Sequence, residues 1–401
     1  MKRLNIIFIG LARWDGRYSS TAVSIASELG KKHNLFYVEN PYTLLDFLKF
    51  LLKWKTRHKW RALLTGFDSI RYQPNFNFHS VIPLLIIPIN WLPKGIIYNQ
   101  LHKLNNFLFN KSLLKIDNFI DNKEVIIINS FNPFYGNNLP NKLNVILKIY
   151  QSVDNMQESE YIKHHGPVHE KKSVLNSDFT ITTSTGLLKK ISKIKKEVYL
   201  IPNAANIDIF KQCHNPSIER PIEITHIKNK IIVYMGNICK RINYQLLTEV
   251  AKYFNNYTIL LIGPISVNNS EIKTLMKFEN IIFTGPKKPN ELPQYLKFSD
   301  CAVIPFLCNE LTADIYPLKI NEYLASGLPV VSTSFSFDIL SFNSMISIAE
   351  NNAEFIKLIK KEIEHNCKPK KEERLEYVLE NNWENRTKTL ESLIFDEIKK
   401  R

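Results

Sequence analysis

The 401-residue chain is 44% hydrophobic and 23% charged, which excludes a disordered protein, and its length exceeds one ordinary core and suits two domains of about 200 residues. Its net charge of +15 is lopsided: residues 1–200 hold 28 Lys/Arg against 14 Asp/Glu, and residues 201–401 hold 25 against 24. The basic half predicts an anionic partner such as phospholipid, a lipid pyrophosphate or an acidic glycan; nucleic acid is disfavoured, because zinc-finger spacing, an RNP-like aromatic strand and an arginine-rich tail are all missing.

Leu4–Ile9 is expected to be a buried first strand rather than a signal peptide, since its apolar run is short, contains Asn5 and leads into a charged loop. Ser19 or Ser20 caps a helix running to about Leu29, and His33–Val38 follows as a second strand. This is the start of a βαβ unit and hence of a parallel sheet. The loop after the first strand lies at the carboxyl end of that sheet, where doubly wound folds bind ligands. Arg13, Asp15, Gly16 and Arg17 are therefore site candidates, with two readings for the arginines: contact with an anionic group, or a solvated loop. No GxGxxG follows the strand, which disfavours a dinucleotide.

Over Tyr42–Leu64, leucines, Phe47, Trp54 and Trp60 interleave with Lys49, Lys53, Lys55, Arg57, Lys59 and Arg61, and no acid follows Asp46. Such a basic amphipathic stretch either lies on an anionic membrane or covers the sheet with its basic face in water. The longest apolar region, Val81–Leu92, is interrupted by Pro83, Pro88 and Asn90 and falls short of the ~20 residues that span a bilayer. Further strands are expected at Ser69–Tyr72, Ile82–Ile87, Glu124–Asn129, Asn144–Tyr150, Ser177–Thr183 and Val198–Ile201, with helices over Gly95–Phe119 and from Thr185 to about Ile191. His164, His165 and His169 cluster without HExxH or a carboxylate at metal spacing, so they read as one cleft histidine or as three solvated ones. Residues 206–229, with Pro216 and Pro221, read as a linker between a first domain, 1–205, and a second, 230–382. The five cysteines form no CxxC pair, consistent with a reducing compartment and no zinc ribbon.

The second domain opens on Ile231–Met235, then Gly236-Asn237, the basic Lys240-Arg241 and a helix over Asn243–Tyr253. Strand, glycine, basic loop and helix make a phosphate-binding arrangement. Thr258–Ile262 ends at Gly263, and Asn280–Phe283 ends at Thr284-Gly285, an expected base-binding edge; Glu291–Phe298 reads as a helix and Asp300–Ile304 as a strand. The most informative stretch is Glu310–Ser332, ELTADIYPLKINEYLASGLPVVS. Its acidic lead-in carries Glu310 and Asp314; a helix over Leu318–Ala325 enters through Pro317 and stops at Gly327; Val330–Val331 begins a buried strand. Lys319 and Glu322 are three apart and share a face in the helix's first turns, where Leu318 and Ile320 also lie. Amide groups and dipole at a helix start suit phosphate, and a carboxylate can accept two hydrogen bonds from vicinal hydroxyls. The set matches a nucleotide diphosphate with its ribose. Met345–Ala349 is a last strand, followed by helices over Asn351–Glu364, Glu372–Asn381 and Trp383–Lys400.

This stretch resembles the donor-site motif of the retaining GT-B glycosyltransferases that use nucleotide-sugars, particularly those of bacterial teichuronic-acid and capsular polysaccharide synthesis. Glu322 matches the second glutamate of that family's Glu-x7-Glu pair and Gly327-Leu-Pro-Val330 its tail, while Asp314 stands in place of the first glutamate, with Glu310 nearby. Tyr150, Val153 and Asp154 match a Tyr…Val-Asp-Asp pattern in which Asn155 replaces the second aspartate; Pro202–Phe210 matches a junction segment with Ala204 and Asn206 as departures. The resemblance implies an α/β GT-B fold of two Rossmann-like parallel-sheet domains facing across a cleft, with helix 383–401 returning to the first. It implies transfer of a sugar from a UDP- or GDP-sugar co-substrate to a hydroxyl of a glycan or lipid-linked acceptor, with retained configuration. No metal or other cofactor is implied, in keeping with the lack of a DxD sequence, and the work is placed at the cytoplasmic face of an anionic membrane. In this scheme Glu322 holds the ribose, Arg241 and Lys319 stabilise the leaving diphosphate, and Asp314 or Glu310 positions the donor sugar. Gly236, Asn237, Lys240, Gly263, Gly285, Leu318 and Ile320 surround the donor; Arg13, Asp15, Gly16, Arg17 and Asp154 lie on the acceptor side. Two rival readings share the architecture: a non-catalytic partner in a glycan-assembly complex, and a nucleotide-sugar 2-epimerase.

Overall fold

A computed structural model describes residues 3–16, 20–51, 57–120, 124–158, 162–268, 270–342 and 344–401. Two compact units result: unit 1, Met1–Pro202 with Arg386–Arg401, and unit 2, Asn203–Asn385.

In unit 1 the strands are β1 (Asn5–Gly10), β2 (Asn34–Val38), β3 (Ile70–Gln73), β4 (Phe78–Val81), β5 (Glu124–Ser130), β6 (Asn144–Ser152), β7 (Phe179–Thr182) and β8 (Val198–Leu200). They form one sheet in the order β3-β4-β2-β1-β5-β6-β7-β8, parallel throughout except for the β3–β4 pair. Helices α1 (Thr21–Gly30), α2 (Leu44–Leu51), α3 (Arg57–Thr65), α4 (Ile96–Leu114), α5 (Gly166–Asn176) and α6 (Thr185–Ile191) supply the crossovers and cover. Every residue of β1 is buried, as a strand covered on both faces must be, which is why its sequence runs apolar without alternation. The chain order reverses between β5 and β2 around β1, so the loops after β1 and β5 flank a topological switch point, the ligand position of such sheets. There Phe131 adopts φ +56, a left-handed conformation uncommon for a bulky residue, and donates its N–H to the Gln151 carbonyl (2.8 Å).

Unit 2 is built on β9 (Ile231–Met235), β10 (Thr258–Ile262), β11 (Ile281–Gly285), β12 (Cys301–Ile304), β13 (Val330–Thr333) and β14 (Ser347–Ala349), all parallel, in the order β11-β10-β9-β12-β13-β14. Its helices are α7 (Ile207–Phe210), α8 (Tyr244–Tyr253), α9 (Ser270–Leu275), α10 (Leu292–Leu296), α11 (Leu318–Ala325), α12 (Asn352–Glu364) and α13 (Lys368–Glu380); α14 (Trp383–Lys399) begins here and continues in unit 1. Here the switch point lies between β9 and β12. In unit 1, α14 is held by Glu391, which is buried and bonded to His33 Nε2 (3.0 Å) and Lys32 Nζ (2.6 Å). The other ring nitrogen, Nδ1 of His33, accepts from the Leu4 N–H (3.4 Å).

Three expectations need correction. The strand placed at Ile82–Ile87 is absent: β4 is Phe78–Val81, and beyond it only Ile86 pairs, in a single bridge to Thr43. Pro83 has no amide to give a ladder, so the apolar run after it cannot continue the strand. Residues 206–229 are not a loose linker, because Ile207, Phe210, Cys213, Ile224 and Ile227 are buried in the core of unit 2. The histidines at 165 and 169 are buried rather than solvated, and the ring of His165 stacks on Tyr98 at 3.7 Å between centroids; His164 alone is exposed. Among the described residues no helix is long and apolar enough to cross a membrane, and no group of three or more His, Cys, Asp or Glu is placed to hold a metal ion.

Candidate functional site

The loops on either side of the unit 2 switch point are stitched to each other. Asn243 N–H donates to the Pro305 carbonyl (2.8 Å), Leu307 N–H to the Arg241 carbonyl (2.8 Å), and Ile242 bridges Phe306. The hydroxyl of Tyr323 on α11 accepts from the Met235 N–H (2.7 Å), fixing α11 to the end of β9. These bonds set the register between the glycine loop after β9 and the helix that carries Lys319 and Glu322.

The Lys319 side chain runs directly over Gly236. A methyl group at Gly236 would overlap Lys319 Cε and come within 2.9 Å of Nζ, and the backbone there has φ +142. The glycine therefore makes room for the lysine. Gly263 (φ +148) does the same for the next layer: a side chain there would overlap the Gly236 carbonyl. Gly285 has open space around it and needs glycine only for its φ of +69. Lys319 Nζ also lies 5.8 Å from the Phe306 ring centroid. Burial holds the Lys319 ammonium below its ordinary pKa, with the Glu322 charge opposing and the Arg241 charge adding to the effect. Burial likewise pushes the Glu322 carboxyl up to about 7 against the pull of Lys319. An acid and a base, each destabilised when charged, thus sit one helical turn apart at the carboxyl edge of the sheet. A ligand that is anionic beside Lys319 and offers hydroxyls to Glu322 relieves both.

Other expected members are placed less uniformly. Arg241 is half-buried and Lys240 exposed in the loop after β9. The exposed Asn237 accepts at Oδ1 from Ser266 Oγ (2.7 Å), and its carbonyl accepts from the Tyr234 hydroxyl (3.0 Å). Ile320 is wholly buried in the hydrophobic core, so its side chain has no role in binding; its N–H donates to the Pro317 carbonyl (3.0 Å) and that of Leu318 to the Tyr316 carbonyl (2.9 Å). Two amides expected to greet a phosphate are thereby already engaged. Asp314 is half-buried and Glu310 exposed, on a loop pinned by the buried Thr312, whose hydroxyl donates to the Leu307 carbonyl.

In unit 1, Arg13, Asp15 and Gly16 lie in the loop after β1, while Arg17 falls outside the described residues. The Arg13 guanidinium stacks 3.6 Å over the Tyr42 ring, and Asp15 pairs with Lys59 Nζ at 2.6 Å. Asp154 belongs elsewhere: it follows β6, two strands from β1 and so about 10 Å along the sheet edge, and its Oδ1 accepts from the Asn155 N–H (2.8 Å). Glu39 is the member of this region that sequence considerations passed over, and Lys59 was read there only as part of the basic stretch. The available signal was an acid directly after the apolar strand Leu35–Val38, at the ligand end of a parallel sheet. The basic stretch forms α2 and α3, with residues 52–56 outside the described set.

Residues 229–363 match the family of glycosyl transferases group 1 and form a domain of that kind. Over 150 residues the chain is 28% identical to a Bacillus subtilis (strain 168) protein named "Putative teichuronic acid biosynthesis glycosyltransferase TuaH"; the aligned segment is 36% of this chain and 36% of that relative, so it spans about a third of the relative's length. Among solved structures, an α,α-trehalose-phosphate synthase (UDP-forming) from Burkholderia vietnamiensis superposes with a TM-score of 0.71 at 11% identity, covering 100% of both chains. A sucrose-phosphate synthase from Thermosynechococcus elongatus gives a TM-score of 0.67 at 12% identity, again over 100% of both. At such identities the likeness is one of fold, and the fold is GT-B.

Proposed function

From a glycosyl transferases group 1 domain carried in a GT-B fold, we propose that this protein transfers a sugar from a nucleotide diphosphate sugar to a hydroxyl of a glycan or lipid-linked acceptor in the synthesis of a bacterial surface polysaccharide. The observation that carries the reading is the packing of Lys319 over Gly236 with Glu322 one turn further on, both at the switch point of the unit 2 sheet. Glu322 accepts hydrogen bonds from the ribose hydroxyls. Lys319 and Arg241 hold the diphosphate and stabilise it as negative charge develops on departure, a preorganised electrostatic contribution. Asp314 orients the donor sugar. The donor is a UDP- or GDP-sugar, the reaction retains configuration, and the protein's own cations neutralise the leaving group. The acceptor binds on the unit 1 loops.

Membrane association belongs to the proposal. Leu44, Leu45 and Leu48 of α2 and Leu64 at the end of α3 are exposed, and so are Lys49 and Arg61 on the same two helices. Helix α2 thus turns apolar side chains to solvent with basic flanks, as an interfacial helix does. Binding to anionic vesicles that weakens with salt supports this; binding indifferent to salt and to Leu45→Glu removes it.

The donor assignment is tested by titrating UDP, GDP, ADP, CMP and their sugars into wild type, Lys319→Ala and Glu322→Ala. One diphosphate bound tightly by wild type and lost in both variants is the expected result. Binding of none, or binding untouched by either substitution, overturns it.

A further inference from the structure

A second group of charges, in unit 1, stands apart from the donor chemistry. Glu39 follows β2 and is 0% exposed; its carboxylate oxygens make no bond of ordinary geometry, and the donor that leans on them is the Trp14 indole. Around it stand Arg13, Trp14 and Asp15 from the loop after β1, Lys59 from α3, and Tyr37 and Tyr42. Asp46 of α2 lies 3.8 Å from Arg13 Nη2. Lys59 is 7% exposed and donates to Asp15 Oδ2 (2.6 Å) and the Tyr42 hydroxyl (3.1 Å). Arg13 Nε is a buried donor without an acceptor. A fold gains nothing from a buried carboxylate so weakly bonded beside an idle arginine donor, because each such group loses hydration that its neighbours replace only in part.

We propose that Arg13 and Lys59 form an anion site for a phosphate group of the acceptor, in which Asp15 is the internal stopper and Glu39 the buried counter-charge. The proposal rests on the acceptor-side reading of unit 1 and extends it to a ligand chemistry. An arginine fork and a lysine are the usual pair for phosphate. The Asp15 side chain is 37% exposed, so an incoming phosphate reaches Lys59 from solvent by replacing the Asp15 carboxylate. Glu39 stays beneath and carries a charge that the bound anion repels. Burial, opposed by the Lys59 charge, pushes its carboxyl up to about 7. Below that pH Glu39 is neutral and the positive charge of Arg13 and Lys59 is less compensated, so anion affinity rises as pH falls through 7. A phosphate on a lipid headgroup and one on a soluble phosphorylated glycan satisfy the same chemistry.

The test uses the full chain in a Lys319→Ala background, which weakens anion binding at the donor site. Sulfate is the probe, because its charge is constant from about pH 5.5 to 8.5. Calorimetry is expected to show sulfate bound about tenfold more tightly at the lower pH, the size of one nearby charge in a partly screened site. Glu39→Gln abolishes that dependence and keeps the tighter value throughout. Asp15→Asn tightens binding, and Lys59→Gln weakens it at least tenfold. The two gains cannot come from a variant that fails to fold. Sulfate affinity unchanged in Lys59→Gln and Asp15→Asn, or a pH dependence that survives Glu39→Gln, overturns the site whatever the nucleotide titrations give. Glucose 6-phosphate and phosphatidic acid vesicles then separate the sources: the one whose binding Lys59→Gln weakens is the class of ligand, and weakening of neither overturns the proposal.

Discussion

Glu322 is poised against the stability of its own fold. Its carboxyl sits up at about 7 through burial, above the usual carboxylate range near 4.5, so the folded protein binds a proton that the unfolded chain has released. The penalty is absent below pH 4.5 and grows until pH passes 7. Glu322→Gln should therefore stabilise the ligand-free protein at pH 8 by on the order of 1 kcal/mol and leave it unchanged at pH 4.5, measured by thermal unfolding at the two pH values. The same substitution should weaken nucleotide diphosphate binding about tenfold or more at pH 8, because an amide replaces a charged acceptor of two hydrogen bonds with one neutral one. Wild-type affinity should fall on acidification through 7 more steeply than that of Glu322→Gln, and the difference isolates the carboxyl from the titration of the diphosphate itself. At the donor sugar, half-burial favours Asp314 over the exposed Glu310 as the positioning acid. Asp314→Ala should lower kcat about a hundredfold with nucleotide affinity retained, and Glu310→Ala should stay within about twofold, the signature of contacts realised at the reacting sugar rather than at the nucleotide. Equal losses in both variants would remove that distinction.

The loops after β9 and β10 work as stacked layers, and their two glycines should fail in different ways. Gly236→Ala drives its methyl into the end of the flexible Lys319 side chain, whereas Gly263→Ala drives it into the Gly236 carbonyl, a backbone group that cannot swing away. Both substitutions strain a positive-φ backbone and should lower Tm; the first should in addition cost nucleotide affinity to the level of Lys319→Ala, and the second, whose clash cannot relax, should destabilise unit 2 the more, by about 1–3 kcal/mol. A Gly236→Ala protein with full nucleotide affinity would show that Lys319 need not lie where it does. This layering also marks how far the sequence could be read. Strands β1, β9, β10 and β12 and helix α11 are legible because parallel strands covered on both faces run apolar, and Pro317 and Gly327 punctuate the helix. The short β4 is not, since Phe78-His-Ser-Val81 is weakly patterned beside the greasier run that follows Pro83. Nor does a segment with two prolines announce that Ile224 and Ile227 belong to a core. The identities of Lys319, Glu322 and Arg241 were readable as a motif, but the lysine's position over Gly236 and the burial of Glu39 depend on which loops the sheet order brings side by side, and single-chain periodicity carries no such information.

The two units differ in how acid acts on them. Unit 1 holds His33, His79, His102, His165 and His169, all kept below the ordinary 6.5 by burial, and His169 as low as about 3. Each is neutral in the folded unit and titrates near 6.5 once unfolded, so the stability it contributes is complete above 6.5 and drains away as pH falls below it. At His33 the loss has a structural target. With Nδ1 accepting from Leu4 and Nε2 bonded to Glu391, a second ring proton breaks the bond to the chain that enters β1, next to the anchor of α14. Glu39 and Glu170 act the other way, since burial raises both and protonation relieves them, but they are two carboxyls against five imidazoles. The excess of basic residues in this half adds self-repulsion as its acids are neutralised. In unit 2 the comparable lowered histidine among the described residues is His214, on an exposed side chain, and Glu322 is relieved by acid. Unit 1 should accordingly open first on acidification. Hydrogen exchange at pH 5 and 7.5, corrected for intrinsic rates, should show protection in β1 and β2 falling at least tenfold, about 1.4 kcal/mol, while β9 and β10 change far less. Replacing His169 by Phe, which keeps a ring among Tyr98, His102 and Phe134 and removes the titration, should shift the acid transition of unit 1 downward and leave that of unit 2 in place. Protection lost together in β1 and β9, or first in β9, would mean that the buried imidazoles do not set the acid limit of this protein.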